Sequence, residues 1–328
     1  MKRVEIARYG APHEVVLCVE VDEPPPPASR EIVIEIDASP IHPADLLSLM
    51  GEYATPPPLP LVPGGEATGR VVAVGNNVTR VAVGDRVIPL SRGNWTQRRT
   101  VGEDDVIAIP DGDPLQLAML KVVPATAQLM LTRVVRLAPG EALIQNAANS
   151  SVGLALARLA TDSGVTAVNV VRRQELVAAL ERNNAGPVIL DGPNLDRRVH
   201  ELLGEAPVRL AIDAVAGEAC LRLSRCLAPG GTVVSYGRLS GEPCMIDPRR
   251  TIFEGITLTG FWLTKVIATT PRPELEALYA GLAPLVLDGT IHAPIEATYR
   301  LDEIAEAVGR AARFRRAGKI MLTPNAPA

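Results

Sequence analysis

The chain is poor in aromatic residues and in cysteine. Its 328 residues include three phenylalanines, two tryptophans and five tyrosines, so an aromatic side chain in a loop or at a strand end is a candidate binding group. The four cysteines show no C-x-x-C spacing and lie in largely apolar segments; they are Cys18, Cys220, Cys226 and Cys244. This distribution predicts buried free thiols and argues against a zinc site or a redox pair.

Long apolar runs and a strong excess of one charge are also missing. No stretch of about 18 uncharged apolar residues occurs, and the N-terminal sequence MKRVEIARYG lacks the apolar core of a signal peptide. The formal net charge is −4 and the isoelectric point is about 5.7, which argues against non-specific binding to nucleic acid or to an anionic membrane. These absences predict a cytoplasmic protein that acts on small molecules.

The pattern of strands changes along the chain and predicts two domains. Residues 1–118 contain short apolar segments between turns rich in proline and glycine, such as EIVIEIDAS and VGDRVIPL, which is typical of a β-rich, barrel-like domain. Residues 119–264 alternate strands with helices, which predicts a parallel, doubly wound sheet. Residues 265–328 contain two amphipathic helices and the strand KIML, and we expect them to complete the first domain. The active site is then expected in the cleft between the domains.

One segment, residues 141–173, has the pattern of a nucleotide-binding βαβ unit. It reads EALIQNAANSSVGLALARLATDSGVTAVNVVRR, and of the three glycines of the G-x-G-x-x-G fingerprint it keeps only the last. The turn is still small enough for backbone N–H groups to approach a pyrophosphate. Arg172 and Arg173 end the second strand, where a basic residue accommodates a 2′-phosphate. The segment predicts NADPH binding by Asn149, Ser150, Ser151, Val152, Gly153, Arg172 and Arg173, the alternative being an ordinary βα turn.

Several longer segments together resemble the medium-chain dehydrogenase/reductase superfamily. They read HPADLLSLMGEY, GGEATGRVVAVGNNVTRVAVGDRVIP, VIAIPDG, LAPGGTVVSYG and RAGKIML, and the resemblance extends over nearly the whole chain. It implies an α/β fold with two domains. A GroES-like, β-rich catalytic domain would comprise residues 1–118 and 265–328, and a doubly wound Rossmann domain that binds NADPH would comprise residues 119–264.

The zinc-dependent members of this superfamily hold a metal with a cysteine and, further along, with the histidine of a GHE motif. The corresponding positions here are His42 and Gly65, and no group of neighbouring cysteines exists. A single histidine without further ligands does not hold zinc. The resemblance therefore implies an enzyme without a metal, in which His42 has a structural role or lies near the cofactor and substrate.

A finer similarity concerns QNAANSSVG, VNVVRR, GNWTQ and TGFWLTK, which look like the mitochondrial-type 2-enoyl thioester reductases. The chain differs at Ser151, where those enzymes usually carry glycine. The resemblance implies NADPH-dependent reduction of the α,β double bond of a 2-enoyl thioester. A quinone or 2-enone reductase on the same scaffold is the main alternative, and a non-catalytic NADPH-binding protein is a second one.

Within this resemblance, Tyr53 in MGEYATPPPLP matches the tyrosine assigned as the proton donor. Hydride transfer to the β-carbon leaves a thioester enolate, which a phenol can protonate or hydrogen-bond. The alternative interpretation is that Tyr53 is a loop residue that packs over Pro57 and Pro58. Trp95 matches an aromatic residue that faces the acyl pocket, or is an ordinary packing residue. Thr126 matches a threonine near the ribose and nicotinamide, or is a hydroxyl at a helix start.

The remaining predicted cofactor contacts lie at other strand ends and in the basic tail. Phe261, Trp262 and Leu263 are expected to close the last strand of the Rossmann domain beside the nicotinamide carboxamide. An exposed apolar edge strand would aggregate, so we expect this edge to pair in a homodimer. Further assigned residues are Tyr236 and Gly237 in VVSYG, and Lys319 of the basic cluster Arg313, Arg315, Arg316 and Lys319. Cations near a helix C-terminus are also common without a ligand.

Overall fold

The structure of the protein is a computed structural model that describes residues 1–181, 186–313 and 315–326. The chain forms two compact units, one made of Met1–Val122 and Thr270–Ala328 and the other of Val123–Thr269. The first unit is β-rich and the second is a doubly wound α/β unit, so the predicted fold class is confirmed. None of the described helices is long and apolar enough to cross a membrane.

Strands and helices are numbered in chain order. The strands are β1 (Lys2–Glu5), β2 (Leu17–Glu20), β3 (Glu31–Pro40), β4 (Thr68–Val74), β5 (Arg86–Pro89), β6 (Arg98–Gly102), β7 (Val106–Ala108), β8 (Ala142–Gln145), β9 (Thr166–Val171), β10 (Val188–Leu190), β11 (Val208–Asp213), β12 (Thr232–Ser235), β13 (Thr257–Gly260), β14 (Ile295–Tyr299) and β15 (Lys319–Leu322). The helices are α1 (Pro12–Val15), α2 (Pro43–Met50), α3 (Pro114–Leu117), α4 (Val123–Arg133), α5 (Ser151–Asp162), α6 (Gln174–Glu181), α7 (Leu195–Leu203), α8 (Gly217–Arg225), α9 (Pro248–Glu254), α10 (Leu263–Thr269), α11 (Arg272–Leu287) and α12 (Ile304–Ala312).

The first unit is built on the long strand β3, on which Ile32, Ile34 and Ile36 are fully buried. This strand pairs antiparallel with β4, β6 and β15, in a sheet of order β14-β15-β3-β4-β5-β7. Gly69 allows β4 to approach closely, because a Cβ there would lie 2.2 Å from the Glu35 carbonyl oxygen. Strands β14 and β15 belong to the tail, so the end of the chain completes this sheet.

Helix α2 follows β3 and leads into the segment that contains Tyr53. His42 is its N-cap, Pro43 stands at the first helical position, and the Asp45 carboxylate accepts from the His42 N–H at 2.9 Å. Gly51 ends the helix with a φ of 76°, which glycine adopts without strain from a Cβ. Both ends of α2, the helix that precedes Tyr53, are therefore held by local backbone contacts.

The second unit contains a parallel sheet of order β10-β9-β8-β11-β12-β13. Counted from β8, this is the order 3-2-1-4-5-6 of a doubly wound Rossmann sheet, with the switch point between β8 and β11. Its central strands are buried on both faces, because consecutive residues such as Leu143 and Ile144 of β8, which point to opposite faces, are both fully buried. Ligands of such sheets bind outside the carboxyl ends of the strands.

Two segments differ from the sequence-based expectation. Strand β13 ends at Gly260 and Leu263 already begins α10, so the prediction that residues 261–263 close the last strand was wrong. Phe261 still bonds to the sheet, with its N–H donating to the Ser235 carbonyl at 2.9 Å. The sequence pattern predicts one helix over QELVAALERN and another over LDEIAEAVGRAARF. The first begins as expected at Gln174, but its last two residues lie outside the described residues, as does Phe314 of the second.

Candidate functional site

The turn between β8 and α5 has the close backbone packing of a dinucleotide site. Ala147 has a φ of 48°, and Ser150 caps α5 by accepting from the Gly153 N–H at 3.1 Å. A Cβ on Gly153 would lie 2.7 Å from the Ala148 carbonyl oxygen, so only glycine lets helix and strand approach this closely. This is the role of the third glycine in the fingerprint. The N-terminus of α5 lies at the carboxyl edge of the sheet, where N–H groups favour an anion.

Arg172 follows β9 directly and is exposed, with no side-chain partner among the described residues. Its neighbour Arg173 pairs with Glu175, with 3.3 Å between Nη1 and Oε1. Because β8 and β9 are adjacent and parallel, Arg172 stands at the same edge of the sheet as the turn before α5. A guanidinium that has no other partner can bind a phosphate through two parallel hydrogen bonds.

Strand β12 brings Tyr236 and Gly237 to this edge. Burial raises the pKa of Tyr236 to about 12, and a hydrogen bond with Ser150 opposes part of that rise. A Cβ on Gly237 would lie 2.8 Å from the Ala214 carbonyl oxygen, so glycine is required here as well. The end of β12 therefore lies near Ser150 in the turn before α5.

Sequence reasoning missed a buried polar pair at the switch point. Asn146 Nδ2 donates to Asp213 Oδ1 at 2.5 Å, and Asn146 Oδ1 accepts from the Ala214 N–H at 2.8 Å. Asp213 also accepts from the N–H groups of Val215 and Ala216, each at 3.1 Å. These bonds tie the end of β8 to the end of β11. The available signal was position, because each is a polar residue at the carboxyl end of a largely apolar strand.

Asp213 also belongs to a group of possible metal ligands. The ligand atoms of Asp213, Cys220 and Cys244 lie within 4.8 Å of one another. The Asp213 carboxylate is already occupied by hydrogen bonds, and burial raises the pKa of the Cys220 thiol. Since a metal binds the thiolate form, we assign this group to the structure of the sheet. The four cysteines are free thiols; Cys220 is buried as predicted, whereas Cys18, Cys226 and Cys244 are only half-buried.

In the first unit, Tyr53 is half-buried and Arg92 lies over its ring, with the guanidinium carbon 5.0 Å from the ring centroid. Arg92 Nη2 also donates to Asp45 Oδ1 and to Ser48 Oγ, each at 3.0 Å. The sequence did not single out Arg92, because no local pattern connects it with α2 or with Tyr53.

His42 lies in a buried cluster of charged side chains. Its Nε2 is 2.6 Å from Glu66 Oε2, and Lys319 Nζ is 2.9 Å from its Nδ1. Because an ammonium only donates, Nδ1 accepts and Nε2 carries the hydrogen that goes to Glu66. A second ammonium, that of Lys121, donates to the Gly65 carbonyl at 2.6 Å.

Burial governs protonation in this cluster. It raises the pKa of Glu66, whereas the Val122 N–H and the charges of Lys121 and Lys319 lower it, and burial also lowers the pKa values of these two lysines. Burial, and next the charge of Lys319, holds the pKa of His42 well below its usual range. Both carboxylate oxygens of Glu66 accept, one from His42 and one from the Val122 N–H at 2.6 Å. This geometry favours an ionised Glu66 between two ammonium groups and a neutral imidazole.

The same residues stand where the zinc-dependent members hold their metal, and their chemistry does not fit zinc. Both ring nitrogens of His42 are engaged, one of them with an ammonium. A Cβ on Gly65 would lie 3.2 Å from Arg92 Nη1, so the space for a histidine there is taken. A zinc ion would meet two buried ammonium groups and no thiolate.

The other residues assigned from the sequence differ in how far the fold exposes them. Trp95 is fully buried in the core of the first unit, and a Cβ on Gly64 would lie 2.5 Å from its Cδ1. In this position the ring offers a substrate no surface, so the structure does not support the predicted wall of an acyl pocket. In the second unit, Thr126 is buried in the first turn of α4. Asn149 and Trp262 are exposed, and Ser151 and Val152 are half-buried.

Comparisons with known proteins define the class of protein to which this geometry belongs. The alcohol dehydrogenase GroES-like domain matches residues 28–126, and the zinc-binding dehydrogenase domain matches residues 151–280. The chain belongs to the medium-chain dehydrogenase/reductase family. This membership confirms the predicted class of enzyme, an NADPH-dependent oxidoreductase.

Within the family, the chain is similar to enoyl reductases and quinone reductases. The mitochondrial enoyl-[acyl-carrier-protein] reductase of Xenopus tropicalis is 33% identical over 92% of this chain and 89% of that protein. The Etr1p/Etr2p 2-enoyl thioester reductase of Candida tropicalis has a TM-score of 0.86 at 25% identity, over 98% of this chain and 99% of that one. A mycobacterial quinone oxidoreductase has a TM-score of 0.85 at 27% identity, over 99% and 100%.

The predicted cytoplasmic location is wrong. The curated relatives from Xenopus tropicalis, Homo sapiens and Dictyostelium discoideum are all named as mitochondrial enzymes. The prediction depended on net charge and on a missing signal peptide. Neither property reports on an organelle, because receptors read such an address from a short targeting segment and not from the composition of the folded chain.

Proposed function

We propose that the protein uses NADPH to reduce the α,β double bond of a 2-enoyl thioester. The observation that carries this proposal is the 33% identity with an enoyl-[acyl-carrier-protein] reductase over 92% of the chain. The geometry of the two units supports it, since one presents a dinucleotide edge with an exposed arginine and the other presents a half-buried tyrosine beside a cation.

The cofactor site in this proposal is the carboxyl edge of the parallel sheet. Arg172 binds the 2′-phosphate, and the N-terminus of α5 binds the pyrophosphate. His42 and Lys319 are occupied with each other, and Trp95 is fully buried, so we leave these three out of the site. The other proposed contacts are those of Thr126, Asn149, Ser150, Ser151, Val152, Gly153, Arg173, Tyr236, Gly237, Phe261, Trp262 and Leu263.

Bound NADPH supplies a hydride to the β-carbon of the substrate. Tyr53 donates its O–H proton to the α-carbon of the resulting enolate, and its phenolate takes a proton from water. One hydride and one proton are thereby added across the double bond. The thioester itself stays intact.

The test is NADPH oxidation with crotonyl-CoA, with a longer 2-enoyl-CoA and with a 1,4-quinone. We expect faster turnover of the thioesters than of the quinone. Tyr53→Phe is expected to lower kcat and kcat/KM for crotonyl-CoA together, by about 100-fold, with the NADPH Kd unchanged. Enoyl turnover within about twofold of the unmodified protein, well short of the loss expected for a general acid, would reduce Tyr53 to a packing residue.

The second candidate is an NADPH:quinone reductase, which the similarity to a mycobacterial quinone oxidoreductase supports. A quinone can take its protons from water after hydride transfer. Quinone turnover that exceeds enoyl turnover and survives Tyr53→Phe would favour this second function.

We also propose that the protein forms a homodimer through the edge of the second unit. Among the described strands, β13 is an edge strand of the parallel sheet, and the neighbouring helix α9 exposes 70% of Ile252 and 79% of Phe253. Pairing across a twofold axis would cover such an edge. Sedimentation velocity should show a dimer that Leu258→Lys on β13 converts to monomers, and a monomeric unmodified protein would contradict the proposal.

A further inference from the structure

Arg92 is held by α2 and at the same time covers the ring of Tyr53. Its Nη2 donates to Asp45 Oδ1 and Ser48 Oγ, each at 3.0 Å, and these two residues are one turn apart on the same helix face. The buried Asp45 carboxylate is itself fixed, because Oδ1 also accepts from the Gly65 N–H at 2.9 Å. The position of the guanidinium is therefore set by the helix that leads to Tyr53.

The peptide group that follows Arg92 is also constrained. The Arg92 carbonyl accepts from Arg99 Nη1 at 2.7 Å, and the N–H of Gly93 donates to the Gly64 carbonyl at 2.9 Å. The side chain therefore starts from a fixed point and ends on a fixed helix. Such a residue loses little further freedom when it holds a neighbouring ring in place.

The space for the guanidinium exists because position 65 is glycine. A Cβ at Gly65 would lie 3.2 Å from Arg92 Nη1 and 3.1 Å from Asp45 Oδ1, so a larger side chain would displace the arginine. The zinc-dependent members carry a metal-binding histidine at this position. Here glycine at the same position leaves room for the guanidinium group of Arg92.

We propose that Arg92 is the positioning residue of Tyr53. This inference rests on the proposed function, in which Tyr53 gives up its proton. The cation holds the aromatic face in one orientation, and its positive charge stabilises the phenolate that remains after proton transfer. Arg92 exchanges no atom with the substrate, so its effect on the rate passes entirely through Tyr53.

A double-mutant cycle tests this statement, with crotonyl-CoA as the substrate. Arg92→Met keeps length and removes the charge, and we expect kcat to fall about tenfold, the size of a partly desolvated cation–π contact, with both KM values nearly unchanged. Arg92→Lys should recover part of the loss, because a charge is restored without the planar fork. In a Tyr53→Phe background, the same Arg92→Met change should have almost no effect, because no phenol is left to position.

The outcomes separate the inference from the proposed function. If Arg92→Met slows the Tyr53→Phe variant by the same factor as the unmodified protein, Arg92 acts elsewhere and the inference fails, while the proposed function stands. If Tyr53→Phe alone leaves crotonyl-CoA reduction intact, the role of Tyr53 fails and the inference fails with it. A rise in KM with unchanged kcat would also overturn the inference, since it would place Arg92 in substrate binding.

Two further variants test whether a loss of kcat comes from misfolding rather than from a change at Tyr53. Arg98→Met removes another arginine of the same unit, one that pairs with Glu35 and Glu23, and it should leave kcat unchanged. Ser48→Ala removes one of the two anchors of Arg92 and keeps the charge, so a smaller loss of kcat is expected, again absent in the Tyr53→Phe background. A Ser48→Ala loss that persists in that background would count against the inference.

Discussion

The carboxyl edge of the second unit and the buried cluster of the first unit both concentrate polar groups, but they do so in opposite ways. The edge relies on backbone geometry, with glycine at Gly153 and Gly237 where a Cβ would collide, and it leaves the side chain of Arg172 exposed. The cluster buries its charges and connects them to one another, with Glu66 between His42 and the Val122 N–H. An open edge can accept a ligand, whereas a satisfied cluster holds its neighbours in place.

This difference explains why charge alone does not mark a binding site. Lys319 and Arg172 are both cations assigned to the cofactor from the sequence, yet Lys319 is bonded to His42 and Arg172 has no side-chain partner among the described residues. A buried charge without its partner costs several kcal/mol, whereas an exposed one is hydrated at little cost. The two regions should therefore respond differently to substitution.

The largest effect is expected at Glu66. Glu66→Gln removes the carboxylate beside two buried ammonium groups and should lower the free energy of unfolding by about 3–5 kcal/mol. Burial lowers the pKa values of Lys121 and Lys319, and the charge of Glu66 raises them. The loss of stability that begins as pH falls below the unfolded-state lysine pKa of about 10.4 therefore continues to lower pH in the variant than in the unmodified protein. Chemical denaturation at pH 6 and pH 9.5 measures both effects, and the deficit should be larger at pH 6.

Glu35→Gln is the matched control for this prediction. Glu35 pairs with Arg98 at 2.6 Å and keeps part of its side chain in solvent, so its loss should cost at most about 1 kcal/mol. Equal destabilisation by both variants would show that the cluster is not specially dependent on its carboxylate.

The next effect concerns the open edge and should leave stability unchanged. Arg172→Ala removes the proposed partner of the 2′-phosphate and should weaken NADPH binding relative to NADH by about 1.5–3 kcal/mol. Arg173→Ala should change the selectivity less, because Arg173 already pairs with Glu175. Fluorescence titration with both cofactors measures the selectivity, and equal losses for NADPH and NADH would exclude Arg172 from the 2′-phosphate site.

A smaller effect is expected where backbone geometry alone carries the site. Gly153→Ala places a Cβ 2.7 Å from the Ala148 carbonyl oxygen, which forces helix and strand apart and should cost about 1–3 kcal/mol, with weaker NADPH binding. Gly281→Ala is the control, because nothing lies within 4 Å of its Cβ position in α11 and alanine favours a helix by about 0.5–1 kcal/mol. In thermal unfolding, Gly153→Ala should lower the unfolding temperature and Gly281→Ala should raise it.

The smallest effect, none at all, is expected from a metal chelator. The cluster at the position of the family's catalytic metal already contains two ammonium groups, so dialysis against a strong chelator should leave turnover and unfolding temperature unchanged. Activity that disappears on dialysis and returns with added zinc would refute this prediction.

Local sequence patterns were enough to predict the class of the fold and the nucleotide-binding βαβ segment. The alternation of strands and helices defines the parallel sheet, and the short segment from residue 141 to residue 173 contains both the turn with Gly153 and the terminal Arg172. These features are local, because strand periodicity and turn chemistry involve residues that are close in the chain. Chain order also made β9 the neighbour of β8, as expected for consecutive strands.

The side-chain partners in the first unit, in contrast, could not be predicted and follow from the folded chain. Lys319 reaches His42 from the last strand of the chain, and Arg92 reaches Asp45 and Tyr53 from a turn beyond β5. Trp95, which the sequence offered as a substrate contact, is instead covered by the core. Burial and charge pairing depend on which distant segments the sheet brings together, and no local pattern encodes that proximity.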